Sequence, residues 1–281
     1  MQIFDTVVAL QSAIQPLIAK KQSVGFVPTM GALHEGHLSL VRQMTAENEV
    51  AVVSIFVNPT QFNDKEDLRK YPRTLAADCA LLQTVGDHIL VFAPSVEEIY
   101  PQVDTRLFAF GDLESVMEGK FRPGHFNGVA QVVSRLFDIV HPTRAYFGEK
   151  DFQQLAIIRA MAQQLQLPVE IVAHPIVREA DGLALSSRNT RLTPSQRQYA
   201  PAIAQTLFVA HSQKGKMSVE TLKQSVVDQI NRLPEMRVEY FELVDSDTLQ
   251  SIRDWHDTDK IRACIAVFDG DVRLIDNIDF S

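Results

Sequence analysis

The stretch Pro28-Thr29-Met30-Gly31-Ala32-Leu33-His34-Glu35-Gly36-His37 decides the fold prediction, because it joins a strand pattern to a helix pattern. The apolar run Val24 to Val27 precedes it and is typical of a strand buried on both faces. Pro28 is expected to end that strand, and a helix is expected to begin near Leu38. In a doubly wound sheet, ligands bind beyond the carboxyl ends of the strands, and this stretch lies there.

Further apolar runs repeat the alternation of strand and helix toward the middle of the chain. Segments with helical period separate the runs Val50 to Val57, His88 to Phe92 and Ala145 to Phe147. The strongest helix pattern spans 127–140, where apolar residues recur three and four positions apart until His141-Pro142. Such alternation indicates crossover helices on a parallel sheet. We predict an α/β class with a doubly wound, Rossmann-like parallel sheet.

A domain boundary is predicted at the polar segment Arg178-Glu179-Ala180-Asp181-Gly182. Residues 1–177 then form a Rossmann-like domain for nucleotide and substrate binding, and residues 178–281 form a smaller domain. We expect the smaller domain to act as a lid that closes over the site.

The C-terminal residues favour a small α+β domain. Thr193-Pro194-Ser195-Gln196 is a capping box and should open a helix that runs to about His211, with a second helix over Val219 to Leu233. Strand patterns follow at Val238 to Val244, Ile261 to Phe268 and Val272 to Ile275. The last two flank Asp269-Gly270, which is a strong hairpin signal.

The composition is that of a globular protein. The chain has 281 residues, 46% hydrophobic and 22% charged, which excludes a disordered tail and a collagen-like fibre. The 35 acidic residues outnumber the 27 basic ones, and the net charge of -8 argues against a general nucleic-acid binder. Cys79 and Cys264 cannot form a disulfide framework, so we expect buried thiols and a reducing cytoplasm. The sequence contains no pattern of a targeting segment or membrane span, so we expect a soluble protein with no membrane partner.

His34 and His37 are the candidate chemical residues of the deciding stretch. They stand three residues apart, so in a first helical turn they share a face and could both donate to phosphate oxygens. Gly31 and Gly36 would allow close approach of the backbone, and a helix N-terminus offers free N–H groups to phosphate. A helix cap and a metal site remain alternatives, although no cysteine or third histidine lies nearby in sequence. The pattern favours nucleotidyl transfer.

Four motifs carry a resemblance to known enzymes. The histidine segment resembles the H-I-G-H signature that class I aminoacyl-tRNA synthetases share with small nucleotidyltransferases. A closer resemblance, to the family of pantothenate synthetases or pantoate–β-alanine ligases, is carried by Pro28 to His37, Phe56-Val57-Asn58-Pro59-Thr60-Gln61-Phe62, Gly148-Glu149-Lys150-Asp151-Phe152-Gln153-Gln154 and Ser186-Ser187-Arg188-Asn189.

The resemblance implies an ATP-dependent ligation in two steps. The carboxylate of pantoate attacks the α-phosphate of ATP and releases pyrophosphate, and the amine of β-alanine then displaces AMP from pantoyl adenylate. Activation has to come first, because a carboxylate is a poor electrophile whereas its mixed anhydride is a good one. Mg²⁺ is expected to arrive bound to ATP without a protein metal-ligand set, and the family implies a homodimer.

The resemblance also implies the residues of the site. The implied catalytic residues are His34, His37, Lys150 and Arg188, with His37 as proton donor. Implied contacts to ATP are made by Met30, Gly31, Ala32, Leu33, His34, Glu35, Gly36, His37, Gly148, Glu149, Lys150, Asp151, Val177, Leu185, Ser186, Ser187 and Arg188. Gln61 and Gln154 are implied to bind pantoate, because an amide both donates to and accepts from hydroxyl and carboxylate groups without adding charge.

Several of these residues have structural alternatives. Asp151 and Gln154 are spaced as a helix cap pair, and capping or solvent exposure is the competing interpretation of the two serines. Leu185 replaces a methionine common in the family, and the similar volume keeps an apolar wall. Arg122 is left outside the site. Two rival functions are a nucleotidyltransferase that leaves AMP on a phosphorylated acceptor and a non-catalytic nucleotide sensor.

Overall fold

The chain forms two compact units. The computed structural model describes residues 1–62 and 65–281. The first unit comprises Met1–Phe110, Gly119–Glu149 and Gln154–Pro175, and the second comprises Gly111–Glu118, Lys150–Gln153 and Ile176–Ser281. Each unit is built around its own cluster of buried apolar side chains.

A parallel sheet organises the first unit. Its strands are Gln2–Phe4 (β1), Val24–Thr29 (β2), Val50–Ile55 (β3), Leu90–Phe92 (β4), Arg144–Gly148 (β5) and Glu170–His174 (β6). They lie in the order β1-β4-β3-β2-β5-β6, and every pairing is parallel. From β2 the chain proceeds outward to β3 and β4 on one side and later to β5 and β6 on the other. The sheet confirms the predicted α/β doubly wound class, with its switch point between β2 and β5.

Helices connect these strands. They are Val7–Ala19 (α1), Glu35–Glu47 (α2), Lys65–Lys70 (α3), Leu75–Gln83 (α4), Val96–Ile99 (α5), Met117–Phe121 (α6), His125–Val140 (α7) and Phe152–Gln164 (α8). The apolar stripe predicted on 127–140 is confirmed, since its six members are all buried: Val129, Val132, Val133, Leu136, Phe137 and Val140.

The C-terminal part of the second unit has the predicted α+β architecture. Its helices are Pro194–Tyr199 (α9), Ala202–Ser212 (α10) and Val219–Asn231 (α11), and its strands are Met236–Asp245 (β7), Ile261–Asp269 (β8) and Val272–Asp279 (β9). The strands pair antiparallel in the order β7-β8-β9. Gly270 takes a left-handed φ of 55° in the turn between β8 and β9, which confirms the hairpin signal.

Two expectations about prolines were wrong. Pro28 does not end its strand, because β2 runs on to Thr29. The pairing of β2 with β5 has ended at Phe26, so Pro28 pairs only with β3, and its missing N–H breaks no ladder bond. The helix expected to run to His211 is interrupted at Pro201, which cannot donate to the preceding turn and caps α10 instead.

The buried cysteines match the sequence prediction. Cys79 and Cys264 are both free thiols inside the protein, and burial raises the pKa of Cys264 to about 12.

None of the helices in residues 1–62 and 65–281 is long and apolar enough to cross a membrane.

Candidate active site

Two histidines cap the helix that follows the central strand β2. His34 is the N-cap residue of α2, with extended backbone at φ −143° and ψ 176°. The Gly36 N–H donates to His34 Nδ1 at 3.2 Å, and the His34 N–H donates to His37 Nδ1 at 3.3 Å. The two ring centroids are 4.0 Å apart. The helix-cap alternative is therefore correct, and the cap also brings both imidazoles together at the start of α2.

The cap determines which ring nitrogen carries the proton. Because each Nδ1 accepts a backbone N–H, a neutral ring at His34 or His37 holds its proton on Nε2. Both rings are then hydrogen-bond donors through Nε2, at the end of the ring opposite the cap. Two donors of this kind in one helical turn suit the non-bridging oxygens of a phosphate.

The protein itself uses most of the backbone N–H groups at this helix start. Ala32 N–H and Leu33 N–H donate to the two carboxylate oxygens of Asp78 at 3.1 and 2.8 Å. The N–H of His37 donates to the His34 carbonyl at 2.8 Å, and that of Gly36 is used by the cap. The expectation of free N–H groups at the helix N-terminus is wrong for Gly36 and His37, because internal acceptors satisfy them first. The N–H groups of Ala32 and Leu33, which precede the helix, are also used. Anion recognition at this point falls to side chains.

The loop before the helix has an unusual backbone. Gly31 has φ 80° and Ala32 has φ 51°, so two successive residues lie in the left-handed region. A Cβ at position 31 would lie 3.0 Å from Asp78 Oδ2, so the close approach to Asp78 also requires glycine there. Thr29 supports the turn, since its hydroxyl accepts from Gly31 N–H at 3.2 Å and donates to the Ser54 carbonyl at 2.7 Å.

Gln61 lies beside the same loop. It ends a short 3₁₀ helix, Pro59–Gln61, and is buried. Its Nε2 donates to Met30 Sδ at 2.9 Å, and its Oε1 accepts from Asn58 Nδ2 at 3.3 Å. His125 Nδ1 donates to the Gln61 carbonyl at 2.8 Å. The structure therefore brings together Gln61 and Met30, two residues that the sequence assigned to pantoate and to ATP.

The remaining predicted residues of the first unit follow β5. Gly148 is the last residue of that strand, and Glu149 begins a 3₁₀ helix that ends at Asp151. Gln154 lies half-buried on α8. The first unit thus contains Met30 to His37, Gly148, Glu149, Gln61 and Gln154 of the predicted set.

The second unit contains the other predicted residues. Leu185 N–H donates to the Val177 carbonyl at 3.0 Å, so these two are neighbours across a small loop. Ser186 caps the 3₁₀ helix Ser187–Arg191, and its hydroxyl accepts from Arg188 N–H at 3.3 Å. The capping interpretation therefore holds for Ser186, whose hydroxyl oxygen keeps a second lone pair and its proton for other partners.

Lys150 is held through its backbone, and Asp151 beside it is exposed. The Lys150 carbonyl accepts from Asn277 Nδ2 at 3.0 Å. Its ammonium makes neither a hydrogen bond nor an ion pair to any residue in the described part of the chain. Nearby Asp276 is bound by the guanidinium of Arg178 at 2.6 and 2.8 Å. Burial raises the pKa of Asp276, while Arg178 and Lys150 act to lower it.

Sequence reasoning missed the residues that hold these loops. Asp78, Asn58, His125 and Gly128 were given no role. Asp78 carried a signal, because it is a lone charged residue in the apolar helix Leu75–Gln83 and lies buried there. Across residues 1–62 and 65–281, no group of three or more His, Cys, Asp or Glu could hold a metal ion.

Comparison with known proteins gives a consistent result over the whole chain. The family described as Pantoate-beta-alanine ligase matches residues 2–279. The pantothenate synthetase of Azobacteroides pseudotrichonymphae genomovar. CFP2 is 60% identical over 280 residues, which cover 100% of both chains. That of Phocaeicola vulgatus is 60% identical over 281 residues, covering 100% of this chain and 99% of the relative.

Solved structures agree with the sequence comparison. A pantothenate synthetase of Thermus thermophilus superposes with a TM-score of 0.92 at 45% identity, covering 100% of this chain and 99% of the other. The pantoate-beta-alanine ligase of Francisella tularensis, complexed with beta-gamma ATP and beta-alanine, gives a TM-score of 0.83 at 36% identity, with coverage of 100% and 98%. The match in sequence, in fold and over the full length shows that the chain belongs to the pantoate–β-alanine ligase family.

Proposed function

We propose that this chain joins pantoate to β-alanine in two ATP-dependent steps. In the first, a carboxylate oxygen of pantoate bonds to the α-phosphorus, and the bond from that phosphorus to the pyrophosphate oxygen breaks. In the second, the amine nitrogen of β-alanine bonds to the acyl carbon, the bond from that carbon to the AMP oxygen breaks, and the nitrogen loses a proton. Family membership supports the overall ligation, and the paired imidazoles at the start of α2 are the observation that carries the adenylate mechanism.

The histidines would act as neutral hydrogen-bond donors. Their Nδ1 atoms are engaged with backbone N–H groups, and protonating either Nδ1 would break a cap bond. Donation from Nε2 strengthens as negative charge moves onto the departing pyrophosphate, so it stabilises the transition state more than bound ATP. We assign this role to His34 and His37, with His37 as the principal donor.

Gln61 is proposed to orient pantoate. Its amide is buried beside Met30 at the end of the central strands, where an uncharged group avoids repelling the substrate carboxylate. Gln154 is proposed as its partner on the resemblance alone.

Lys150 and Arg188 are proposed to stabilise phosphate charge. Arginine can bind phosphate oxygens in a bidentate manner, and lysine supplies a point charge. On the basis of the resemblance we retain the other implied nucleotide contacts, which are Met30, Gly31, Ala32, Leu33, Glu35, Gly36, Gly148, Glu149, Asp151, Val177, Leu185, Ser186 and Ser187. Val177 and Leu185 are already neighbours, which supports a shared contact to one ligand.

Mg²⁺ is proposed to enter with ATP. The groups around the turn before α2 include imidazole nitrogens and a thioether, which are poor ligands for Mg²⁺ compared with phosphate oxygens. The two carboxylates there are already engaged, Glu35 by Arg42 and Asp78 by the N–H groups of Ala32 and Leu33. The donor set therefore fits an ion coordinated mainly by the triphosphate and water. When bound, it would neutralise charge on the phosphates.

A cytoplasmic homodimer is proposed for the assembled protein. Two free buried thiols suit a reducing compartment such as the cytoplasm, and cell fractionation would test this location.

Exposed apolar side chains support the dimer. Val103 and Leu107 are 87% and 89% exposed, and a second copy that covered them would remove apolar surface from water. Light scattering should give twice the monomer mass, and a strictly monomeric protein would contradict the dimer.

The proposed reaction is tested by omitting one substrate at a time. ATP, pantoate and β-alanine together should yield pantothenate, AMP and pyrophosphate in equal amounts. Omission of β-alanine should limit turnover to bound adenylate. AMP found attached to a phosphorylated acceptor would favour the rival nucleotidyltransferase, and ATP binding without turnover would favour a sensor.

The role of His37 is tested by a pair of variants. His37→Gln keeps an acceptor at the third helical position and so preserves the cap, whereas His37→Ala loses it at about 1 kcal/mol of stability. Both should lower adenylate formation by about two to three orders of magnitude, because both lose the Nε2 donor. His256→Gln, at an exposed histidine, is the matched control. A wild-type rate in His37→Gln would remove the assigned role.

A further inference from the structure

Asp78 is a buried carboxylate without a cationic partner in the described part of the chain. It lies on α4 and is 1% exposed. Its ligands are the N–H groups of Ala32 and Leu33, at 3.1 and 2.8 Å, and the Thr74 hydroxyl at 3.3 Å from both carboxylate oxygens. Burying a charge without a counter-ion is unfavourable unless hydrogen bonds compensate it. Thr74, at the start of α4, supplies one of the compensating donors, and the loop between β2 and α2 supplies the two shorter bonds.

That loop has a conformation that its own sequence disfavours. Ala32 has φ 51°, a left-handed value that places the Cβ of an L-residue too close to the backbone. Gly31 before it is also left-handed, at φ 80°. Residues in this region persist only where surrounding contacts over-determine them. The bonds from Asp78 are made to Ala32 itself and to the residue that follows it.

We propose that Asp78 is a positioning residue that fixes the Gly31–Leu33 turn and thereby places the imidazoles of His34 and His37. Leu33 is bonded directly to His34, so a shift of the turn is passed on to the cap and to both Nε2 atoms. This inference rests on the proposed function, because it assigns Asp78 an effect on adenylate formation. Asp78 touches no reacting atom and acts through the backbone.

The carboxylate is required because both of its oxygens accept. Asparagine has the same shape but offers one oxygen and one NH₂ group. In either orientation, the NH₂ group would face the N–H of Ala32 or of Leu33, and one charge-assisted hydrogen bond would become a contact between two donors.

The test measures pantoate-dependent exchange of pyrophosphate into ATP, which reports the first step alone. Asp78→Asn should lower the exchange rate about tenfold to a hundredfold, since shifts of about 1 Å at a reacting centre have effects of this size. Adding Ala32→Gly should restore part of the rate, because glycine adopts a left-handed φ without strain. Asp269→Asn, at a buried aspartate of the second unit, is the matched control and should leave exchange unchanged.

A purely structural role would lower stability without this rescue of rate. Folded Asp78→Asn with the wild-type exchange rate, or with a defect that Ala32→Gly leaves unchanged, would overturn the proposal. If Asp78→Asn does not fold, amide hydrogen exchange of the wild type decides: slow exchange at Ala32 and Leu33 supports the anchor and fast exchange refutes it. Wild-type protein that lacks pantoate-dependent exchange would refute the proposed function instead, and amide exchange would still test Asp78.

Discussion

Replacing Gly128 with alanine should displace the loop that carries Gln61. A Cβ at Gly128 would lie 2.5 Å from the Thr60 carbonyl oxygen and 2.9 Å from Gln61 Cα, whereas ordinary contact begins at 3.4 Å. The loop must therefore retreat by about 0.9 Å, the difference between the shortest distance and ordinary contact. Both atoms belong to the backbone, so no side-chain rotation relieves the clash.

The displacement should affect pantoate more than stability. Gln61 moves with its backbone, and a misplacement of about 1 Å can reduce a rate about a hundredfold, so we expect kcat/KM for pantoate to fall by about tenfold to a hundredfold. Alanine gains about 1 kcal/mol over glycine in a helix, while overpacking costs about 1–3 kcal/mol. The net loss of about 0–2 kcal/mol leaves a typical enzyme folded.

Steady-state kinetics with each substrate varied in turn provides the assay. The KM for ATP should stay within about twofold, because the clash is on the side of Gln61. Gly86→Ala is the matched control, since the three atoms nearest to its Cβ would all belong to the exposed ring of His88, which can rotate away. Unchanged pantoate kinetics in folded Gly128→Ala, or equal losses for both substrates, would refute the reasoning.

Two predictions concern the stability of the second unit. Burial raises the pKa of Asp269 from 3.8 to about 6, and both of its carboxylate oxygens lack hydrogen-bond partners among the described residues. The protonated carboxyl is therefore favoured in the folded state. Its contribution to the unfolding free energy is lost as pH rises through about 6. Asp269→Asn should therefore have an unfolding free energy about 1–3 kcal/mol above that of the wild type, measured by urea denaturation. This difference should grow between about pH 4 and 6 and stay constant above about pH 6. A difference that does not depend on pH would contradict the prediction. Glu118 is paired in the interior with Arg273 at 2.6 Å and with the Tyr240 hydroxyl at 2.8 Å. Glu118→Gln should therefore lose about 2–3 kcal/mol of unfolding free energy, whereas Glu66→Gln, at an exposed ion pair, should lose less than about 0.5 kcal/mol. Equal losses would show that burial of the pair is unimportant.

The sequence predicts the features that depend on residues close together along the chain. The stripe on α7, the buried strand β2 and the Asp269-Gly270 hairpin are each a local pattern with a fixed period or turn chemistry. The interruption at Pro201 also follows from a local feature, because proline has no N–H to donate within a helix. The short edge strand Gln2–Phe4 has too few residues to show a period.

The supports of the site could not be predicted, because they join distant parts of the chain. Asp78 reaches residues more than forty positions earlier, and His125 reaches the carbonyl of Gln61 across 64 positions. Nothing in a local pattern says which loop a buried carboxylate or imidazole will meet. The motif resemblance identifies residues that are proposed to contact ligands. It does not identify the residues that hold those loops in place, because these act through backbone atoms of the loops.

The three-residue spacing of His34 and His37 follows from the cap and not from the phosphate. In a capping box, the residue at the N-cap and the residue three positions later exchange bonds with backbone N–H groups near the helix start, and the usual side chains end at the capping atom. Imidazole has a second nitrogen at the far end of the ring, so it can accept from the backbone at Nδ1 while it donates outward from Nε2. Serine lacks the reach, and glutamine carries donor and acceptor on the same carbon. The cap bonds at Nδ1 therefore also fix the position of the Nε2 donor on the same ring. Histidine at two positions three residues apart thus serves both to cap the helix and, as proposed, to donate to a phosphate.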